Sequence, residues 1–132
     1  MDSQKSQADR LEERLVDFAV RIRALATALP RTASGRHIAM QILRSGTSGA
    51  PNYAEARGAE SRADFIHKLK VVQKELNETA VWLRILSKSV ATKEELIVDI
   101  LQENLELAKI ITASIRTAKI RGSPAPKMTN DN

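Results

Sequence analysis

The feature that most restricts the fold of this chain is a regular repeat between positions 65 and 90. The repeat alternates spacings of four and three residues and has these members: Phe65, Leu69, Val72, Leu76, Thr79, Leu83, Leu86 and Val90. Such spacing places all of them on one face of an α-helix, which has about 3.6 residues per turn. Ser61, with Asp64 three residues later, is typical of a helix start. The sequence therefore predicts a long amphipathic helix over about 62–90.

Three further segments have the same character. A seam with the same spacing runs from Leu11 to Leu29 and ends before Pro30, because proline disfavours helix at the preceding residue. Thr92 and Glu95 resemble a capping box that begins a last helix, which Gly122 stops. The predicted helices cover about 9–29, 34–58, 62–90 and 93–121.

No segment shows the alternation of a strand, so the predicted class is all-α. Short connections make consecutive helices neighbours, which favours an antiparallel up-down-up-down four-helix bundle. We expect one domain over 9–121, between a disordered N-terminus over 1–8 and a disordered tail over 122–132.

The second segment leaves two possibilities open. Between Ser45 and Pro51 the chain is rich in glycine and small residues, which is typical of a loop between two short helices. The alternative is one helix kinked at Pro51, whose small side chains let a neighbouring helix approach closely. Apolar and small residues continue on the same face through Ala54, and this favours the kinked helix.

The apolar arc of the fourth predicted helix spans roughly 220°, against about 100° for an ordinary surface helix. Every helix of a four-helix bundle is peripheral, so one core cannot cover this arc. We therefore predict a second buried face, formed with copies of the same chain in a homo-oligomer. The candidate interface residues are Leu96, Ile100, Leu107 and Ile110.

The residues that carry most enzyme chemistry are scarce. The chain has no cysteine, and its two histidines, His37 and His67, stand in no metal-ligand spacing. No phosphate-binding loop or nucleophile elbow is present. We expect no catalytic residue, no metal and no cofactor, and so no enzyme. The first residues do not resemble a signal peptide, and no apolar run is long enough to cross a membrane, so we expect no membrane partner and a cytoplasmic location.

Charge is unevenly distributed along the chain, which has 21 Lys and Arg against 16 Asp and Glu. No acid occurs between Phe18 and Ala54, or between Leu107 and Asn130. The few aromatic residues all lie in apolar patterns, so phosphate contacts are favoured over base stacking. The candidate contacts are Arg21, Arg23, Arg36, Arg44, Arg116, Lys119 and Arg121. A basic face that is merely solvated is the alternative.

Arg44 also has a structural interpretation. It lies near the small residues of the second segment, while Glu75 and Glu78 lie near the centre of the third. A buried or half-buried ion pair of Arg44 with these carboxylates would fix the register of the two helices.

Four motifs occur in a fixed order along the chain. They are Gln41-Ile-Leu-Arg-Ser-Gly-Thr-Ser, Asn52-Tyr-Ala-Glu-Ala, Asp64-Phe-Ile-His-Lys-Leu and Lys74-Glu-Leu-Asn-Glu-Thr-Ala-Val-Trp-Leu-Arg. Over about residues 15–120 the chain resembles a bacterial four-helix bundle family first noticed as proteins encoded in intervening sequences of 23S rRNA genes. The resemblance implies an up-down bundle that assembles as a ring-shaped pentamer. The family is distantly similar to the accessory protein of diversity-generating retroelements, and this similarity implies a basic barrel that binds nucleic acid.

These observations favour a non-enzymatic homo-oligomer that binds structured RNA or DNA through phosphate contacts. The alternative is a protein-interaction scaffold with one protein partner and no role in nucleic-acid binding.

Overall fold

A computed structural model of the chain describes residues 5–89 and 94–122. The described residues form four helices and no strand: α1 Gln7–Ala28, α2 Ala33–Arg57, α3 Arg62–Lys88 and α4 Glu94–Gly122. The predicted all-α class and the four helices are confirmed. Every helix end lies within two residues of its predicted position. Val90 and the predicted cap at Thr92 lie outside the described residues.

The two ends of the bundle differ slightly from the prediction. Gln7 and Ala8 are helical, so the predicted disorder over 1–8 is wrong for these two residues. The reason is a capping box, in which the Ser6 hydroxyl accepts from the Asp9 N–H at 3.0 Å and the Asp9 carboxylate accepts from the Ser6 N–H at 3.1 Å. Gly122 likewise belongs to α4 rather than to the predicted tail. The rest of both predicted termini lies outside the described residues, apart from Lys5 and Ser6.

Helix α2 runs without interruption through Pro51, so the loop alternative is wrong. Its small residues pack closely against α1. A Cβ atom added at Gly46 would lie 2.7 Å from Cγ2 of Ile22, and one at Gly49 would lie 3.3 Å from Cδ2 of Leu15. Glycine at these positions therefore lets α1 and α2 approach each other closely.

Each helix packs against the next one along the chain, and α1 touches α4 more sparsely. Polar contacts accompany this packing at two places in the interior. The Thr79 hydroxyl donates to the Ser45 hydroxyl at 2.8 Å, which joins α3 to α2. The Asn104 amide donates to the Leu76 carbonyl at 3.2 Å, which joins α4 to α3.

The core is one cluster of apolar side chains from all four helices. The seams predicted for α1 and α3 supply most of it, and Phe18 and Tyr53 are buried there. Phe65 and Trp82 pack against the cluster and are partly buried. All four aromatic residues therefore contribute to the core, in keeping with their place in the apolar pattern.

Two of the four predicted interface residues belong to this core. Ile100 and Leu107 are 0% exposed within a single chain, so their assignment to a contact between copies is wrong. The wide apolar arc of α4 is divided, and only its central part faces the core. Leu96 remains 42% exposed, and Ile110 is partly buried in a cleft beside the N-terminal part of α1. Among the described residues, no helix combines the length and apolarity that a membrane span requires.

Candidate nucleic-acid interface

Arg44 projects from α2 between two carboxylates of α3. Its Nη1 lies 3.2 Å from Oε1 of Glu75, and its Nη2 contacts Oε2 of Glu78. Glu78 also accepts from the indole N–H of Trp82 at 3.2 Å. The structure thus brings together the three residues of the predicted ion pair, with the Arg44 side chain half-exposed. Because two carboxylates balance its charge, Arg44 is a poor candidate for a phosphate contact.

The other six predicted phosphate contacts do not form one surface. Arg23 and Arg36 line a groove on the outer side of α1 and α2. Arg21 is partly buried. It lies on a different face of α1 from Arg23, because residues two positions apart in an α-helix are separated by about 200° around the helix axis. The remaining three are exposed on the last two turns of α4: Arg116, Lys119 and Arg121.

A basic surface that the sequence analysis missed runs along α3. We call it the α3 stripe, and it consists of Lys70, Lys74, Arg84 and Lys88, all exposed. Their spacings of 4, 10 and 4 residues keep the four side chains within about 40° of one direction around the helix. The stripe is about 27 Å long at 1.5 Å per residue. It therefore presents four positive charges in a line on one helix.

The sequence analysis missed the α3 stripe because Glu75 and Glu78 lie between its members along the chain. In the structure these carboxylates point towards α2 and contact Arg44, away from the stripe. A search for acid-free segments therefore passes over it, whereas a search by helical face would have found it.

Several other basic side chains are engaged in ion pairs that join helices. Arg57 of α2 donates to Asp9 at 2.9 Å and to Glu12 at 3.0 Å on α1, and its hydrogen bond lowers the pKa of Asp9. Arg14 of α1 donates to Glu103 of α4 at 2.7 and 3.1 Å, and this contact raises the pKa of Arg14. These charges serve the packing of the bundle.

Lys68 provides a direct contrast with the α3 stripe. It lies on the same helix, but its Nζ is 2.7 Å from Oε1 of Glu55, which raises the pKa of Lys68. In the part of the chain that the structure describes, no member of the α3 stripe forms an ion pair. The stripe is therefore open to a negatively charged partner.

The chain also has a cleft of about 590 Å³ between α1 and α4, with Tyr53 in its lining. Burial raises the pKa of the Tyr53 hydroxyl. His37 is exposed and packs edge-on against Trp82, with 5.8 Å between the ring centroids. Within the described ranges, no group of three or more His, Cys, Asp or Glu side chains could hold a metal ion.

Fold and surface together define a four-helix protein with a basic stripe along one helix. The model of the 23S rRNA-intervening sequence protein family matches residues 10–113, and the chain belongs to this family. The predicted family resemblance is thereby confirmed. No curated protein matches the chain.

A solved structure is similar over nearly the whole described chain. It is the crystal structure, at 1.70 Å resolution, of a protein with unknown function from the S23 ribosomal protein family of Bacteroides thetaiotaomicron. The two chains are 36% identical, with a TM-score of 0.77. The match covers 84% of this chain and 99% of the other.

Proposed function

We propose that this protein is a non-enzymatic, antiparallel up-down four-helix bundle that assembles as a homo-oligomer and binds structured RNA or DNA through phosphate contacts. The order of the helix contacts supports the antiparallel arrangement. Leu15 faces Gly49 and Ile22 faces Gly46, so the contacts run in opposite directions along α1 and α2. The family name refers to 23S rRNA, which makes structured rRNA a natural first ligand to test.

The observation that carries the proposal is the α3 stripe. Its four basic side chains are exposed, whereas Arg44, Arg57 and Lys68 are already paired with carboxylates of neighbouring helices. The aromatic rings pack against the core, so binding by base stacking has little to use. Positive charges in a line on a rigid helix favour contact with a nucleic-acid backbone.

Assembly into an oligomer would strengthen this field. A homo-oligomer repeats the α3 stripe once in every copy, and the potentials of the copies add where they lie within about a Debye length. Exposed apolar side chains on α4 support such an assembly, since Leu96, Val98 and Leu105 lie in solvent in the single chain.

The test is the salt dependence of binding to duplexes of RNA and of DNA of about 20 base pairs, measured by fluorescence anisotropy. Four phosphate contacts predict a slope of about −3.6 for log K against log salt with B-DNA, or about 150-fold weaker binding at 200 mM than at 50 mM. No binding at about 50 mM salt would overturn the proposal.

A matched pair of variants locates the contact. Lys74→Gln removes one charge from the α3 stripe and is expected to reduce the salt slope by about 0.9. Lys68→Gln removes one charge from the same helix, but at a lysine already paired with Glu55, and it should leave the slope unchanged. Equal slopes for the two variants would rule out the α3 stripe as the binding surface.

A further inference from the structure

We infer that the cleft between α1 and α4 binds a small amphipathic carboxylate, a molecule with one anionic group and a compact apolar body. This inference goes beyond the proposed function and does not depend on it. The lining of the cleft comes from α1, α2 and α4, so the α3 stripe takes no part in it.

The α1–α4 cleft is large enough for such a molecule. Its volume of about 590 Å³ lies within the range of small-molecule sites, about 300–1,000 Å³. It opens beside the N-terminal turns of α1, which contacts α4 more sparsely than any helix contacts the next one along the chain. The side chains of Ala8 and Ser114 line the cleft and are small, which leaves space between the two helices.

The Tyr53 hydroxyl is the polar group that distinguishes this cleft. Tyr53 projects from α2, lines the cleft and is 6% exposed. Its hydroxyl forms no hydrogen bond among the described residues. In the same residues, Oδ1 of Asn104 is the only fully buried side-chain polar atom that lacks a partner, so the Tyr53 hydroxyl is accessible. A tyrosine that is this buried usually has a partner for its hydroxyl, and the cleft is the place from which a ligand supplies one.

Both polar groups suited to a ligand are hydrogen-bond donors. Burial raises the pKa of the Tyr53 hydroxyl above its ordinary value of 10.0, so this group keeps its proton at neutral pH and donates. Arg10 lies in the same lining and is exposed. One of its N–H groups donates to the Lys5 carbonyl at 2.6 Å, and a guanidinium has others to offer.

The charges around the cleft favour an anion. Arg14, the other base in the lining, donates to Glu103, and this contact, with a smaller effect from Glu106, raises the pKa of Arg14. Arg14 is therefore already balanced. Arg10 forms no ion pair in the part of the chain that the structure describes. No acid lines the cleft, so a cationic ligand would lack a partner, whereas a carboxylate can accept from Arg10 and from Tyr53.

The apolar part of the lining explains why the anion needs an apolar body. Leu11 is buried, Ile110 is partly buried, and both border the cleft together with the ring of Tyr53. A small inorganic anion would leave these surfaces in water. A carboxylate with an apolar body covers them, and removal of apolar surface from water favours binding.

The cleft is also separate from the exposed apolar residues that support assembly. Val98 and Leu105 lie about 120–140° around α4 from Ile110. Leu96 lies on the same side of α4 as Ile110, but about 21 Å away along the helix. Binding in the cleft and assembly into an oligomer therefore use different parts of α4 and can be measured independently.

The test is a titration of the full-length protein with 1-naphthoate, followed by methyl NMR. The δ1 methyl resonance of Ile110 should shift and saturate, with a Kd of about 0.1–1 mM for a ligand of about 13 non-hydrogen atoms. The exposed Ile85 of α3 provides a reference methyl group that should not shift. The neutral analogue 1-naphthamide has nearly the same shape and should bind about tenfold more weakly.

Two conservative variants locate the anionic group. Tyr53→Phe removes only the hydroxyl, and Arg10→Gln removes the charge but keeps an amide donor. Each should weaken binding of 1-naphthoate about tenfold, and Arg10→Gln should change the affinity for 1-naphthamide by less than about twofold. Because the Tyr53 hydroxyl has no partner in the described chain, Tyr53→Phe should not lower the thermal midpoint.

Arg36→Gln is the matched control. It removes the same charge from an exposed arginine that lines the groove on α1 and α2, and it should leave the affinity for 1-naphthoate unchanged. A loss of binding with Arg36→Gln but not with Arg10→Gln would place the probe in that groove and overturn the inference.

Three other results would also overturn it. The first is the absence of a saturable shift of the Ile110 methyl group at about 10 mM 1-naphthoate. The second is an equal Kd for 1-naphthoate and 1-naphthamide. The third is parent-like binding of 1-naphthoate by both Tyr53→Phe and Arg10→Gln.

Discussion

The contact between α1 and α2 should respond in opposite directions to the same substitution at two neighbouring glycines. Glycine-to-alanine substitution inside a helix favours the helix by about 1 kcal/mol. At Gly49 the added Cβ would lie 3.3 Å from Cδ2 of Leu15, the end of a flexible side chain that can move by a few tenths of an ångström. We therefore expect Gly49→Ala to raise the free energy of unfolding by up to about 1 kcal/mol.

At Gly46 the same change meets a rigid neighbour. The added Cβ would lie 2.7 Å from Cγ2, 2.8 Å from Cγ1 and 3.2 Å from Cβ of Ile22. Ile22 is fully buried and branched at Cβ, so it has no alternative position within the core. Overpacking of this kind costs about 1–3 kcal/mol. After subtraction of the helix-propensity gain, Gly46→Ala should lower the free energy of unfolding by up to about 2 kcal/mol.

Equilibrium urea unfolding at matched protein concentration, followed by circular dichroism, measures both effects. A double-mutant cycle with Ile22→Ala supplies the control, because that substitution removes both Cγ atoms that the new methyl group would meet. Gly46→Ala should then become neutral or stabilising in the Ile22→Ala background. If Gly46→Ala is as stable as Gly49→Ala, or if its cost persists in the Ile22→Ala background, the steric argument is refuted.

Three further predictions concern polar contacts of the bundle. The Oδ1 atom of Asn104 is buried without a hydrogen bond, so Asn104→Leu should raise the free energy of unfolding by about 1 kcal/mol in urea, and a decrease would contradict this. Arg44→Ala should lower the thermal midpoint slightly and the free energy of unfolding by less than about 1 kcal/mol, because the pair is half-exposed. A coupling energy of zero between Arg44→Ala and Glu78→Gln in a double-mutant cycle would contradict this. Because Arg57 lowers the pKa of Asp9 below 3.8, Asp9→Asn should destabilise the protein near neutral pH. The difference in free energy of unfolding between the variant and the parent protein should fade as the pH falls below 3.8. A difference that does not depend on pH would exclude this linkage.

The helices were predictable because their signals are local. A spacing of four and three residues and a serine cap depend only on neighbouring positions, so the limits of α3 follow closely from the residues themselves. The association of Arg44 with Glu75 and Glu78 was predictable for a related reason. Charges that lie among apolar and small residues need partners, and the adjacent α3 offered two carboxylates near its centre.

The surfaces were less predictable because they depend on how far the neighbouring helices extend around each helix. The sequence shows that α4 has a wide apolar arc, but not which part of it the other helices cover. In the structure Ile100 and Leu107 face inward, while Val98 and Leu105 remain outside. The α3 stripe was hidden similarly, since charge counted along the chain mixes residues that lie on different faces of one helix.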